Sequence, residues 1–155
     1  MTTFQTIYDE FLSSITDDMY MELTRQDTSA MLFDLLKSAL PWFEFPRFGL
    51  YDYDLELEAY NCELSQEEIK IIAIYMIVEW LGQQLASVEL TRMKYSGSDF
   101  KFTSQANHMH KLKDLQKEYE RKGFHLQRLY KRRKVDAKGI MRSTFGSIMS
   151  STKEN

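Results

Sequence analysis

The chain has 155 residues, 43% hydrophobic, 14% aromatic and 28% charged, enough for one domain with a real core plus an extension. Six glycines and two prolines favour helices over a looped β architecture, and a single cysteine, Cys62, excludes an internal disulfide framework and makes a reducing compartment the default. The net charge of −3 hides a split: residues 1–90 carry 17 acidic and 4 basic side chains, net −13, and residues 91–155 carry 6 and 16, net +10. An acidic body followed by a basic arm implies that the two ends meet different partners, or each other in a neighbouring copy.

The start, Met1-Thr2-Thr3-Phe4, lacks the basic and apolar regions of a signal peptide. Phe4, Ile7, Tyr8, Phe11, Leu12 and Ile15 recur at three- and four-residue spacing and predict a helix over 3–15. Asp17-Asp18 reads as a turn before a short helix from Met19 to Leu23. Asp27 is the expected N-cap of a helix over 28–40, with Met31, Leu32, Leu35, Leu36 and Ala39 as its buried stripe and Pro41 as its stop. Residues 41–64 are the least regular stretch. Trp42, Phe43, Phe45 and Phe48 cluster around Pro46. Tyr51, Tyr53, Leu55 and Leu57 then alternate with acidic residues, which suits a short strand or an ordered loop.

Ser65 with Glu68 three residues on is a capping box, and it opens a helix expected to run to about Arg92. That helix is apolar nearly all round from Ile69 to Leu81, as a buried central helix should be, and the apolar run is too short to span a bilayer. Tyr95 to Asp99 is a turn. Ser104 opens a long basic helix to about Lys134, with Leu112, Leu115, Tyr119, Leu126 and Leu129 at helical spacing and Gly123 as a kink or break. The expected fold is all-α: a helical bundle with a long C-terminal basic helix, divided into a helical domain over 1–134 and an extended tail over 135–155.

No motif in this chain carries catalytic chemistry. His108 and His110 point to different helix faces, and with His125 they read as surface or interface side chains rather than zinc ligands. Asp52 to Glu63 faintly suggests a calcium loop, but Leu57 stands where the sharp turn needs glycine. Cys62 has no base nearby in sequence, and there is no phosphate-binding glycine loop, so neither an enzyme nor a cofactor is expected. The candidate interaction residues are the basic group Arg121, Lys122, Arg128, Lys131, Arg132, Arg133 and Lys134, the tail apolars Phe145 and Ile148, and the loop aromatics Trp42, Phe43, Phe45 and Phe48. The basic group could neutralise phosphates, with Phe124 and Tyr130 stacking on bases, as in a nucleic-acid-binding regulator. The acidic first 90 residues favour packing between copies instead.

Three features together resemble the head–tail connector proteins of tailed bacteriophages, small helical adaptors that form a ring below the portal. They are the acidic helical body with a long loop before Ser65-Gln66-Glu67-Glu68, the segments Tyr95-Ser96-Gly97-Ser98-Asp99-Phe100, Phe102 to His108 and Tyr119-Glu120-Arg121, and the long basic helix with its tail. The likeness covers roughly residues 1–135. It implies a homo-oligomeric ring of about twelve copies, docked on the portal and on the next neck or tail protein. DNA would pass through the channel without sequence-specific binding, and no membrane partner is implied. The location implied is the virion neck, with the host cytoplasm during assembly, and the segment implied to reach the portal is about Lys134 to Asn155.

Overall fold

A computed structural model describes residues 1–15, 25–94, 102–135 and 141–143. Among them are four α-helices: α1 (Phe4–Leu12), α2 (Arg25–Ala39), α3 (Gln66–Lys94) and α4 (Phe102–Arg132). A 3-10 turn, Leu40–Trp42, follows α2. Two small sheets complete the fold. The first joins β1 (Thr2–Thr3), β2 (Tyr53–Asp54) and β3 (Ala59–Tyr60) in the order β1-β3-β2, with Tyr60 opposite both Thr2 and Tyr53; the second pairs β4 (Arg133–Val135) with β5 (Met141–Ser143), Arg133 opposite Ser143. The chain is therefore largely helical, with strands at the margins. The expected helix at Met19–Leu23 and the turn at Tyr95–Asp99 lie outside the described residues. So do Phe145 and Ile148.

Helix α3 is the centre. Ile69 and every residue from Ile71 to Val78 are buried, as is Leu81, because α1 and α2 pack against it as well as α4. The stretch Gln66–Leu90 is long and apolar enough by length and composition to cross a membrane (mean hydropathy 1.4), and 50% of its most apolar window is buried inside the fold, between Ile69 and Leu81, while Leu90 is exposed. Its capping box forms as read: the Ser65 amide donates to Glu68 Oε2 at 2.7 Å and the Glu68 amide to Ser65 Oγ at 3.3 Å.

Several expectations are corrected. Helix α2 begins at Arg25, so Asp27 lies within it rather than capping it. Met31 is 37% exposed and leaves the buried stripe to Leu32, Leu35, Leu36 and Ala39. The alternation over 51–58 is not one strand: Asp54 Oδ1 accepts the amides of Glu56 and Leu57, folding the chain into a hairpin loop between β2 and β3. Leu55 and Leu57 therefore point outward, and Glu58 closes the turn in the left-handed region (φ 46°). Leu115 is also exposed. Gly123 does not break α4, which runs from Phe102 to Arg132. A Cβ there would lie 2.8 Å from Tyr75 Cζ, so glycine is what lets α4 approach the Tyr75 ring of α3.

The contacts Glu68–Tyr130, Tyr75–Gln127 and Val78–Gln116 run in opposite chain directions, so α3 and α4 are antiparallel. Beyond Leu81 and Gly82 this pair leaves the other layers. From Gln83 to Leu90 the side chains of α3 are exposed or half-buried, and on the facing stretch of α4 only Met109 is buried among 106–115.

Candidate functional site

The region that gathers most of the predicted site residues is where the loop 41–48 meets the end of α4. Gln127, buried on α4, holds the loop from three directions. Its Oε1 accepts the Glu44 amide at 2.8 Å, and its Nε2 donates to the Trp42 carbonyl at 2.9 Å and to Tyr75 Oη on α3. The Trp42 ring stacks on Tyr75 at 5.7 Å and its Nε1 donates to Glu79 at 2.6 Å. Farther along, Arg47 caps α4. Its guanidinium donates to the carbonyls of Tyr130 (2.8 Å) and Arg133 and lies 4.6 Å from the Tyr130 ring, satisfying carbonyls that the helix end leaves open. Tyr130 Oη accepts the Arg47 amide at 3.1 Å and donates to Glu68, the buried carboxylate of the capping box. One carboxylate thus ties the start of α3 to the end of α4.

The four buried tyrosines Tyr8, Tyr60, Tyr75 and Tyr130 are all held above the ordinary phenol range, chiefly by burial. At Tyr130 the hydrogen bond to Glu68 adds to this, and at Tyr8 the neighbouring charge of Glu58 does. These are structural phenols kept neutral.

The predicted residues sort into three groups. Arg121, Lys122, Arg128, Lys131 and Arg132 are exposed on α4, with Lys122 Nζ 5.4 Å from the Tyr119 ring and Lys131 Nζ 3.8 Å from the Phe45 ring. Arg133 is engaged inside the fold, pairing with Glu67 at 2.9 Å. Lys134 lies in β4, so the expected boundary between 134 and 135 falls inside a strand that residues 141–143 join. Of the loop aromatics, Trp42 (43%) and Phe45 (55%) are exposed, whereas Phe43 is a core residue and Phe48 packs against the core. Phe43 and Phe48 belong to a chain of ring contacts, Phe33–Phe4–Tyr60–Phe48–Phe43–Tyr130, each 5.4–5.8 Å apart. Tyr130 is equally buried and cannot stack on a base, unlike Phe124, which is 51% exposed.

Sequence reasoning missed a pattern within the basic helix. Lys113, Lys117, Arg121, Phe124, Arg128 and Lys131 are all exposed and recur every three or four residues, so they share one face of α4. Met109, Gly123, Gln127 and Tyr130 are buried on the adjoining face, about a right angle round the helix. The spacing itself was the available signal. A second feature is a cavity of about 240 Å³ lined by Phe4, Tyr8, Ser29, Ala30, Phe33, Leu55 and Glu58, between α1, α2 and the hairpin.

Among the described residues, no group of three or more His, Cys, Asp or Glu side chains is placed to hold a metal ion. His108, His110 and His125 are exposed along α4. Asp54, a member of the faint calcium pattern, is occupied by its own turn. No protein-family model matches this chain, and neither does any curated protein or solved structure.

Proposed function

We propose that this chain is a structural virion protein of the head–tail connector kind. It is a subunit of a homo-oligomeric ring under the portal that surrounds the DNA exit channel and joins head to tail. The observation that carries this reading is the segregation of charge. The first 90 residues are acidic, and the long helix that follows carries a stripe of five exposed cations, Lys113, Lys117, Arg121, Arg128 and Lys131, along one flank. Opposed faces on one small helical unit suit repeated packing of identical copies, with electrostatics setting the register. In this reading the helices form the bundle of the adaptor, the basic helix of one copy faces the acidic body of the next, the segment from about Lys134 to Asn155 reaches toward the portal, and the other end meets the next neck or tail protein. An acidic lumen repels DNA phosphates, so DNA passes without sequence-specific binding. The protein has no enzymatic role in this reading, and it resides in the virion neck after assembly in the host cytoplasm.

The exposed basic face with Phe124 also supports a second reading, a nucleic-acid-binding regulator. Two measurements separate them. Electron microscopy of the particle with which the protein co-purifies should show a closed ring of copies around a channel, stacked on a portal. Affinity for free DNA should be weak for a connector. For a regulator it should be strong and should fall log-linearly with salt. Free monomers retained on DNA, with no ring and no portal partner, would sink the connector reading.

A further inference from the structure

We infer that the basic face of α4, centred on Phe124, docks on the acidic hairpin of a second copy of this chain, with the Phe124 ring entering the cavity beside that hairpin. The inference deepens the connector reading by naming the two surfaces that meet between subunits, and it rests on that reading for the identity of the partner.

On the donor side, a helix turning 100° per residue places residues 113, 117, 121, 124, 128 and 131 within a sector of about 80° and over about 27 Å of axis. Asp114 and Glu120 fall outside that sector, so the face holds five cations around one exposed aromatic ring. On the receiving side, Phe4, Tyr8, Phe33 and Leu55 give the cavity an aromatic and aliphatic lining, and Glu58 stands in its wall. Glu56 and Asp52 are exposed on the same hairpin, beside the exposed Tyr51 and Leu57. At about 240 Å³ the cavity is smaller than the roughly 300–1,000 Å³ of small-molecule sites. It has room for one large side chain. Each surface supplies what the other lacks: a ring flanked by Arg121 and Arg128 against an apolar hollow with Glu58 in its wall, on an acidic hairpin.

The two surfaces belong to different sides of the protomer. The buried face of α4 is turned to α3, its basic stripe runs along the flank about a right angle round the helix, and the cavity lies among α1, α2 and the hairpin. A contact of unlike surfaces leaves one of each free on every dimer and propagates to a ring or a chain. A nucleic acid fits the basic face but not the hollow, where Glu58 and the acidic hairpin repel phosphate.

The test is a charge swap on the full chain. One variant carries Arg121→Glu and Arg128→Glu, the other Glu56→Lys and Glu58→Lys. All four side chains are exposed, and thermal melts matching the wild type establish that both variants fold. In sedimentation velocity the wild type should self-associate, less so as salt rises from about 50 to about 500 mM. Each variant alone should be at least tenfold weaker, and mixing the two should restore association. Phe124→Asp should be monomeric and Phe124→Tyr should associate. A wild type monomeric at low salt, or a mixture no better than its components, overturns the contact. So does a basic-face variant that loses DNA binding with self-association intact. Micrographs of the wild-type assembly separate the two claims. Closed rings support both, and open chains keep the contact but remove the ring. Rings on a portal in native particles, with a failed swap, keep the connector and remove this contact.

Discussion

The loop between α2 and α3 is fastened at its two ends by different physics. Around β2 and β3 it is held by aromatic rings: Phe4 touches Phe33, Tyr53 and Tyr60 at 5.4–5.7 Å, and Tyr60 passes the contact on to Phe48. Around residues 42–47 the rings of Trp42 and Phe43 also pack, on Tyr75 and Tyr130, but directed hydrogen bonds with Gln127, Tyr130 and Arg47 are added. Aromatic packing contributes large, non-directional stabilisation from buried area. The polar seam contributes little net energy per bond but fails sharply when one partner is removed, because the others stay buried and unsatisfied. The first device supplies stability. The second fixes where the loop sits over the basic helix.

Raising the pH attacks both regions at once and should have the largest effect. Tyr8, Tyr60, Tyr75 and Tyr130 have folded-state values raised above 10.0. The unfolded chain therefore loses these protons first, and the stability they contribute is complete below pH 10 and lost as pH climbs above it. Far-ultraviolet circular dichroism should show base-induced unfolding, and helicity unchanged well beyond the phenol range would contradict it. Phe4→Ala tests the aromatic end alone and should cost about 3–5 kcal/mol in urea unfolding. Gln127→Ala tests the polar seam, leaving Tyr75 Oη, the Trp42 carbonyl and the Glu44 amide without it, for about 2–3 kcal/mol. Because the basic helix has other anchors, Gln127→Ala should also raise protease cleavage within 42–47 while leaving cleavage within 53–60 unchanged. Gly123→Ala is the finest test. Helix propensity alone predicts a gain of about 1 kcal/mol, but overpacking against Tyr75 costs about 1–3 kcal/mol. A Cβ only 2.8 Å from the ring makes the second effect win. A melting temperature that rises would show that the seam yields.

Much of this was legible in the chain. The capping box at Ser65 and the all-round apolar run after it located α3 because both signals are local. The amphipathic spacing of Phe4, Ile7, Tyr8 and Phe11 located α1 for the same reason. What could not be read depends on tertiary contact. Gly123 carries the same sequence signal whether it breaks a helix or admits a neighbouring ring. Alternation at 51–58 suits a strand until Asp54 captures two amides and turns the chain. Of four clustered loop aromatics, composition cannot say that Phe43 is buried and Phe45 is not. In sequence the basic residues from Arg121 to Lys134 form one group, whereas the helix sorts them by face, joining Lys131 to Lys113 and handing Arg133 to Glu67.

Among the described residues, the antiparallel pair α3–α4 has one end embedded in the other layers and one end that is two helices thick. Amides of α3 between Ile71 and Val78 can exchange with solvent only when the whole domain opens, so they should exchange at the rate set by global stability. Toward Leu90 on α3, and on α4 near Leu115, a two-helix opening suffices. Deuterium uptake should therefore rise along a single unbroken helix, and α3 would report global and local opening at its two ends within the same molecule.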